Sequence, residues 1–137
     1  IETRDEDDPL LRALLDALND RPTALAAAAE RAVLSTLGAG CAAPVGAFAR
    51  VDEASSTLLL DARVMSVDGR ERVEASGALV LTGAVGRGDA APGEVMLDEA
   101  APGEAARLGA DVARQLLDGG AAEVTDLGAT KAPRQPS

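Results

Sequence analysis

Between residues 45 and 81 the chain switches between apolar and polar or small residues three times over, and this alternation constrains the fold more than any other feature. Val45, Ala47, Ala49 and Val51 alternate with Gly46, Phe48 and Arg50, a period of two that only an extended strand turns into one apolar side. Thr57 to Met65 repeats the pattern with Leu58, Leu60, Ala62 and Val64 facing one way. Arg72 to Leu81 sets Val73, Ala75, Gly77, Leu79 and Leu81 against Arg72, Glu74 and Ser76. Asp68-Gly69, between the second and third runs, is a hairpin dipeptide. Three consecutive antiparallel strands follow, with one apolar face that needs a cover.

Helical spacing on either side supplies the cover. Asp8-Pro9 followed by Leu10, Leu11, Leu14, Leu15 and Leu18 predicts a helix from Pro9 to Asn19, with an Asp N-cap and proline at the first position. The acidic run Asp5 to Asp8 is accounted for by the helix dipole, which favours carboxylates at an N-terminus, without a metal ion. A second helix opens at Pro22-Thr23, places Leu25, Ala29, Val33 and Leu37 on one face, turns Glu30-Arg31 away from it and stops at Gly38. A third spans Glu104 to Asp118, with Ala105, Leu108, Val112, Ala113 and Leu116 at helical spacing. The order ααβββα predicts an α+β domain, a small three-stranded antiparallel sheet covered on one face by about three helices. The other face is left to solvent or to the rest of a larger protein. Residues 82–101, rich in Gly, Ala, Pro and Asp with an apolar patch at Val95 to Leu97, are expected to form a long excursion with a mobile tip.

At 137 residues there is one domain's worth of sequence, enough to bury about 68% of the unfolded surface around a single core. The domain is expected to span 8–128, with 1–7 closing a preceding unit and 129–137 as a disordered tail. Opening on Ile1 with no basic, apolar leader, the chain reads as the carboxyl-terminal segment of something longer. No apolar run approaches the roughly 18 residues that cross a bilayer, so no membrane association is expected. A net charge of −10 opposes nucleic acid, and with no Trp, no Tyr and one Phe there is no stacking platform for bases. One cysteine excludes an internal disulfide and fits a reducing cytoplasm; zero histidines remove the commonest general base and zinc ligand.

Several motifs fail on context. Gly86-Arg87-Gly88-Asp89-Ala90-Ala91 matches a loose dinucleotide loop, but Pro92-Gly93 interrupts the helix that would receive a pyrophosphate. Gly88 and Gly93 have the spacing of a phosphate loop's glycines, yet Glu94-Val95 stands where Lys and Ser/Thr are required. Arg87-Gly88-Asp89 is a tripeptide that integrins read, in a chain rich in those residue types and with no sign of secretion. Asp16, Asp61 and Asp111 are scattered carboxylates with no partner spacing that suggests acid–base work, and no metal site is expected.

What remains is the run GAGCAAPVGAF, Gly38 to Phe48, which holds the only cysteine. Free cysteine is among the most buried residue types, so on residue type alone Cys41 is a small core hydrophobe. Against this, it falls outside every periodic pattern, in a turn of Gly and Ala between a helix end and Pro44. The negative end of a helix disfavours a thiolate, and no histidine stands by to take the proton. If this sulfur reacts, its partner must be a potent electrophile.

The run Ala28-Ala29-Glu30-Arg31-Ala32-Val33-Leu34, then Leu37, Gly40-Cys41, Pro44-Val45-Gly46-Ala47 and Ala49, resembles the carboxyl-terminal domain of the hydroxymethylbilane synthase (porphobilinogen deaminase) family. There an AERxxL helix leads into a GGCxxPxG loop. Ile1-Glu2-Thr3-Arg4 looks like the IECR that closes the family's second domain, and the Asp68-Gly69 hairpin and Leu116 to Ala121 helix end extend the likeness. The resemblance implies that Cys41 carries a dipyrromethane cofactor through a thioether, formed when the sulfur attacks the azafulvene left by deaminating a pyrrole. It implies that porphobilinogen is polymerised, with release of ammonia, into a linear tetrapyrrole for heme biosynthesis. The catalytic aspartate and the arginines that grip the substrate's carboxylates would lie in amino-terminal domains this chain lacks, so no catalytic residue is assigned here. Its partners would be those domains and the growing pyrrole chain, in a cytoplasmic monomer. Ala39 replaces the usual first glycine before the cysteine, and Ala42-Ala43 lacks the polar residue often found after it. The rival reading is a non-catalytic α+β interaction module with Cys41 buried in its core.

Overall fold

A computed structural model of the chain describes residues 8–81 and 101–130. The elements are α1 (Pro9–Leu18), α2 (Arg21–Leu37), β1 (Val45–Asp52), β2 (Thr57–Met65), β3 (Arg72–Val80), α3 (Ala101–Asp118) and α4 (Ala121–Val124). The α+β fold matches the expectation from periodicity, as do the three strands. α1 ends one residue early, α3 starts before Glu104, and α4 is an addition. The excursion at 82–100, with its Gly-rich motifs and the Val95 to Leu97 patch, lies outside the described residues, as do 1–7 and 131–137.

The starts of α1 and α2 are built by their caps. Asp8 accepts from the Leu10 N–H at 2.9 Å and precedes Pro9 at the first helical position. Asp20 accepts from the Thr23 N–H at 3.1 Å and opens α2 at Arg21, one residue ahead of Pro22.

The strands form one antiparallel sheet in the order β1-β2-β3. The register aligns the inward residues in rows across it: Val45, Val64 and Val73; Ala47, Ala62 and Ala75; Ala49, Leu60 and Gly77; Val51, Leu58 and Leu79. These rows lie under α2 and α3, where Leu58, Leu60 and Val64 are buried with Leu25, Ala29 and Val33 of α2 and Val112 and Leu116 of α3. Small residues let the two helices touch: a Cβ on Gly109 of α3 would fall 2.2 Å from the Ala29 carbonyl oxygen of α2.

Glu30 corrects the expected polarity of α2. Its carboxylate does not turn away from the core side: Oε1 accepts from the Ala49 N–H at 2.7 Å, on edge strand β1. The acceptor satisfies a backbone donor on the sheet's border and fastens the helix to the strand.

Two surfaces remain uncovered. The outer sheet face carries Gly46, Phe48, Asp61, Arg63, Glu74 and Ser76, which line a depression of about 640 Å³. Arg63 and Glu74, paired across β2 and β3, form an ion pair there, and Phe48 is 61% exposed. α1 buries none of its residues and packs against no other element among those described; Leu10 and Leu18 are more than two-thirds exposed, at 68% and 69%. No helix among the described residues is long and apolar enough to cross a membrane.

Candidate functional site

The turn that bears Cys41 grows out of the way α2 ends. Gly38 adopts the left-handed conformation (φ 62), and the helix closes with the Gly38 N–H on the Ser35 carbonyl and the Ala39 N–H on the Leu34 carbonyl. Ala39 and Gly40 are not among the positive-φ residues. Alanine therefore fits at position 39, because Gly38 alone makes the left-handed step.

Residues 40–43 then form a β-turn, closed by the Ala43 N–H donating to the Gly40 carbonyl at 3.0 Å, with Cys41 and Ala42 at its two corners. The Pro44 carbonyl accepts from the Met65 N–H at 3.0 Å, which ties the exit of the turn to the end of β2.

A distant segment runs alongside. The Gly40 N–H donates to the Leu127 carbonyl at 2.8 Å and the Ala42 N–H to the Ala129 carbonyl at 2.9 Å, one bond on either side of Cys41. The approach is close enough to exclude a side chain: a Cβ on Gly40 would sit 2.3 Å from the Ala129 oxygen. Asp126 shapes this segment, its Oδ1 accepting from the Gly128 N–H at 3.0 Å, while Leu127 is buried in the core. Of the expected tail from 129 onward, Ala129 and Thr130 are described, and Ala129 is bonded to the cysteine turn.

Cys41 is exposed, which corrects the reading of it as a buried core residue. A thiol on a fixed turn, flanked in sequence by Gly40 and two alanines, can accept a bulky substituent without displacing the core. The site offers an anchor point. It offers no imidazole, since the chain has no histidine.

The scattered carboxylates are not brought together with Cys41. Asp16 lies exposed on α1, Asp61 on the open sheet face, and Asp111 pairs with Arg114 along α3. Asp52 and Asp68 serve the strand turns. The Ser55 hydroxyl, then the Ala54 N–H, hold Asp52 below the usual carboxylate value; the Ser66 hydroxyl, then the Arg70 N–H, do the same for Asp68. Among the described residues no three His, Cys, Asp or Glu side chains gather as a metal site would require.

The periodic reading of the sequence missed the 126–129 segment. Its signal was Asp126-Leu127-Gly128, an Asp two residues before a Gly, which favours a side-chain-closed turn. Nothing local shows that this turn reaches the cysteine.

Comparison with known proteins matches residues 24–118 to the model of the porphobilinogen deaminase C-terminal domain. The chain is 44% identical over 124 residues to the porphobilinogen deaminase of Cutibacterium acnes, covering 88% of this chain and 33% of that protein. To the porphobilinogen deaminase of Ralstonia nicotianae it is 42% identical over 124 residues, covering 90% of this chain and 31% of that one. The Thermus thermophilus protein of the same name is 36% identical over 124 residues, covering 90% and 34%. The chain thus spans about a third of the length of these relatives.

Proposed function

Because the chain belongs to the porphobilinogen deaminase family, as its carboxyl-terminal domain, we propose that it is the part of such an enzyme that carries a covalent dipyrromethane cofactor on Cys41. The observation that carries this reading is the exposed thiol at the corner of a turn held on both sides by backbone hydrogen bonds. A tether needs accessibility and a fixed base, and Cys41 has both. When bound, the dipyrromethane supplies the pyrrole end to which porphobilinogen units are added, giving a linear tetrapyrrole with release of ammonia.

The chain's own residues hold the anchor still. Gly38 reverses the chain after α2, Gly40 leaves room for the 126–129 segment, and Pro44 passes the chain into β1. Alanines 42 and 43 present no polar side chain to the cofactor, so its carboxylates must be gripped elsewhere. A net charge of −10 supports that division, since an acidic domain repels a polycarboxylate.

The partner is the remaining part of the same enzyme, with residues 8–128 as the cofactor-anchoring domain and 1–7 as the end of the preceding one. The leucine face of α1 supports this, being apolar, at the upstream end and uncovered here. The whole enzyme works as a monomer in the cytoplasm, where a lone thiol stays reduced.

The test is turnover. The 137-residue chain alone should release no ammonia from porphobilinogen. The complete enzyme should do so, and Cys41→Ser should abolish tetrapyrrole formation while leaving the protein folded. Full activity of Cys41→Ser would sink the proposal.

A further inference from the structure

The residues that hold Cys41 in place from outside its turn come after the family match ends at residue 118. The turn itself supplies no side-chain hydrogen bonds, since Gly40, Ala42 and Ala43 carry no polar groups beyond the backbone. Its orientation is set instead by two carbonyls, those of Leu127 and Ala129, which accept from the amides on either side of the cysteine at 2.8 and 2.9 Å.

These two carbonyls are themselves positioned. Leu127 is fixed by burial, at 9% exposure, and the side chain of Asp126 closes the turn through the Gly128 N–H at 3.0 Å. The Asp126 carbonyl accepts from the Ala129 N–H at 3.3 Å, so one residue organises both ends of the short segment. On the other side, Gly40 is the only residue type that admits the approach, with the Ala129 oxygen at 2.3 Å from where a Cβ would stand.

We propose that residues 126–129 form a strap that positions Cys41, with Asp126 as the positioning side chain and Gly40 as the seat on which the strap closes. The proposal rests on the reading of Cys41 as the tether and adds what aims it. Backbone bonds on both flanks of a tethering residue fix the direction in which its side chain leaves the protein. A reacting group attached there is sensitive to displacements of about 1 Å. Asp126 and Gly40 therefore act through Cys41 and touch no substrate.

The test uses the complete enzyme with Gly40→Ala, Asp126→Ala and Asp126→Asn. Gly40→Ala and Asp126→Ala should lower kcat about fivefold at unchanged KM for porphobilinogen, the size of effect expected when the backbone hydrogen bonds flanking Cys41 are loosened. Asp126→Asn keeps a side-chain oxygen for the Gly128 N–H and should stay within about twofold of the parent. A second readout does not depend on the cofactor: in enzyme prepared without it, the amides of residues 40 and 42, which donate to the strap, should take up deuterium label about fivefold faster in the first two variants. Parent-like kcat and parent-like labelling in both variants would overturn the strap. So would a loss in Asp126→Asn equal to that in Asp126→Ala. If Gly40→Ala does not fold, the Asp126 pair decides. If the parent enzyme carries no adduct on Cys41, the tether reading fails, and the labelling rates alone decide whether the strap holds the cysteine.

Discussion

Three consecutive small residues before the cysteine, Gly38, Ala39 and Gly40, have separate duties. Gly38 is needed for its left-handed backbone, Gly40 for the space beside Ala129, and Ala39 for neither. Gly38→Ala should therefore destabilise the chain by about 1 kcal/mol, whereas Ala39→Gly should cost only a few tenths, through the unfolded state. Urea unfolding of the two variants separates them. At Glu30, substitution by Ala strips a part-buried edge amide of its acceptor and should cost about 1–3 kcal/mol, with Glu30→Gln retaining part of the bond. Asp52 and Asp68 have lowered folded-state values, so their contribution is present above the usual carboxylate value of 3.8 and is lost as pH falls through the lowered one. Replacing both by Asn should flatten the stability decline below pH 3.8, measured as urea midpoints across acid pH.

The periodic elements were legible in the sequence, and the reason is physical. Each buries one face against a partner, so period two located β1, β2 and β3 and the spacing Leu25, Ala29, Val33, Leu37 located the buried side of α2. The four-residue α4 is too short to have a period. Glu30 was misjudged because a carboxylate among alanines reads as a solvated face, while its acceptor role depends on where β1 lies. The crossing of α2 and α3 rests on Gly109, and Gly109→Ala should cost about 1–3 kcal/mol by overpacking against Ala29. α1 behaves differently, since its leucines have nothing to pack on among the described elements. Leu14→Ser should move the stability of the 137-residue chain by less than about 0.5 kcal/mol. In the complete enzyme the same change should cost about 2 kcal/mol or more, if that face is covered there.

At the scale of the molecule, the proposed function separates anchor from acid–base chemistry. The chain spans about a third of its relatives, has no histidine and is strongly acidic, yet it holds an exposed thiol on a turn built from residues 38–44 and 126–129. The cysteine could be singled out from the sequence because it broke every pattern around it. Its exposure and the carbonyls that flank it depend on a segment far along the chain, and no local signal carries that. Under the proposed function such a domain anchors and presents a group while chemistry proceeds on neighbouring surfaces. The most direct check is the intact mass of the complete enzyme, denatured before measurement, followed by mapping of the peptide containing Cys41. The account predicts a covalent excess of one dipyrrole on that peptide, absent from Cys41→Ala. An enzyme that makes tetrapyrrole with Cys41 unmodified would contradict it.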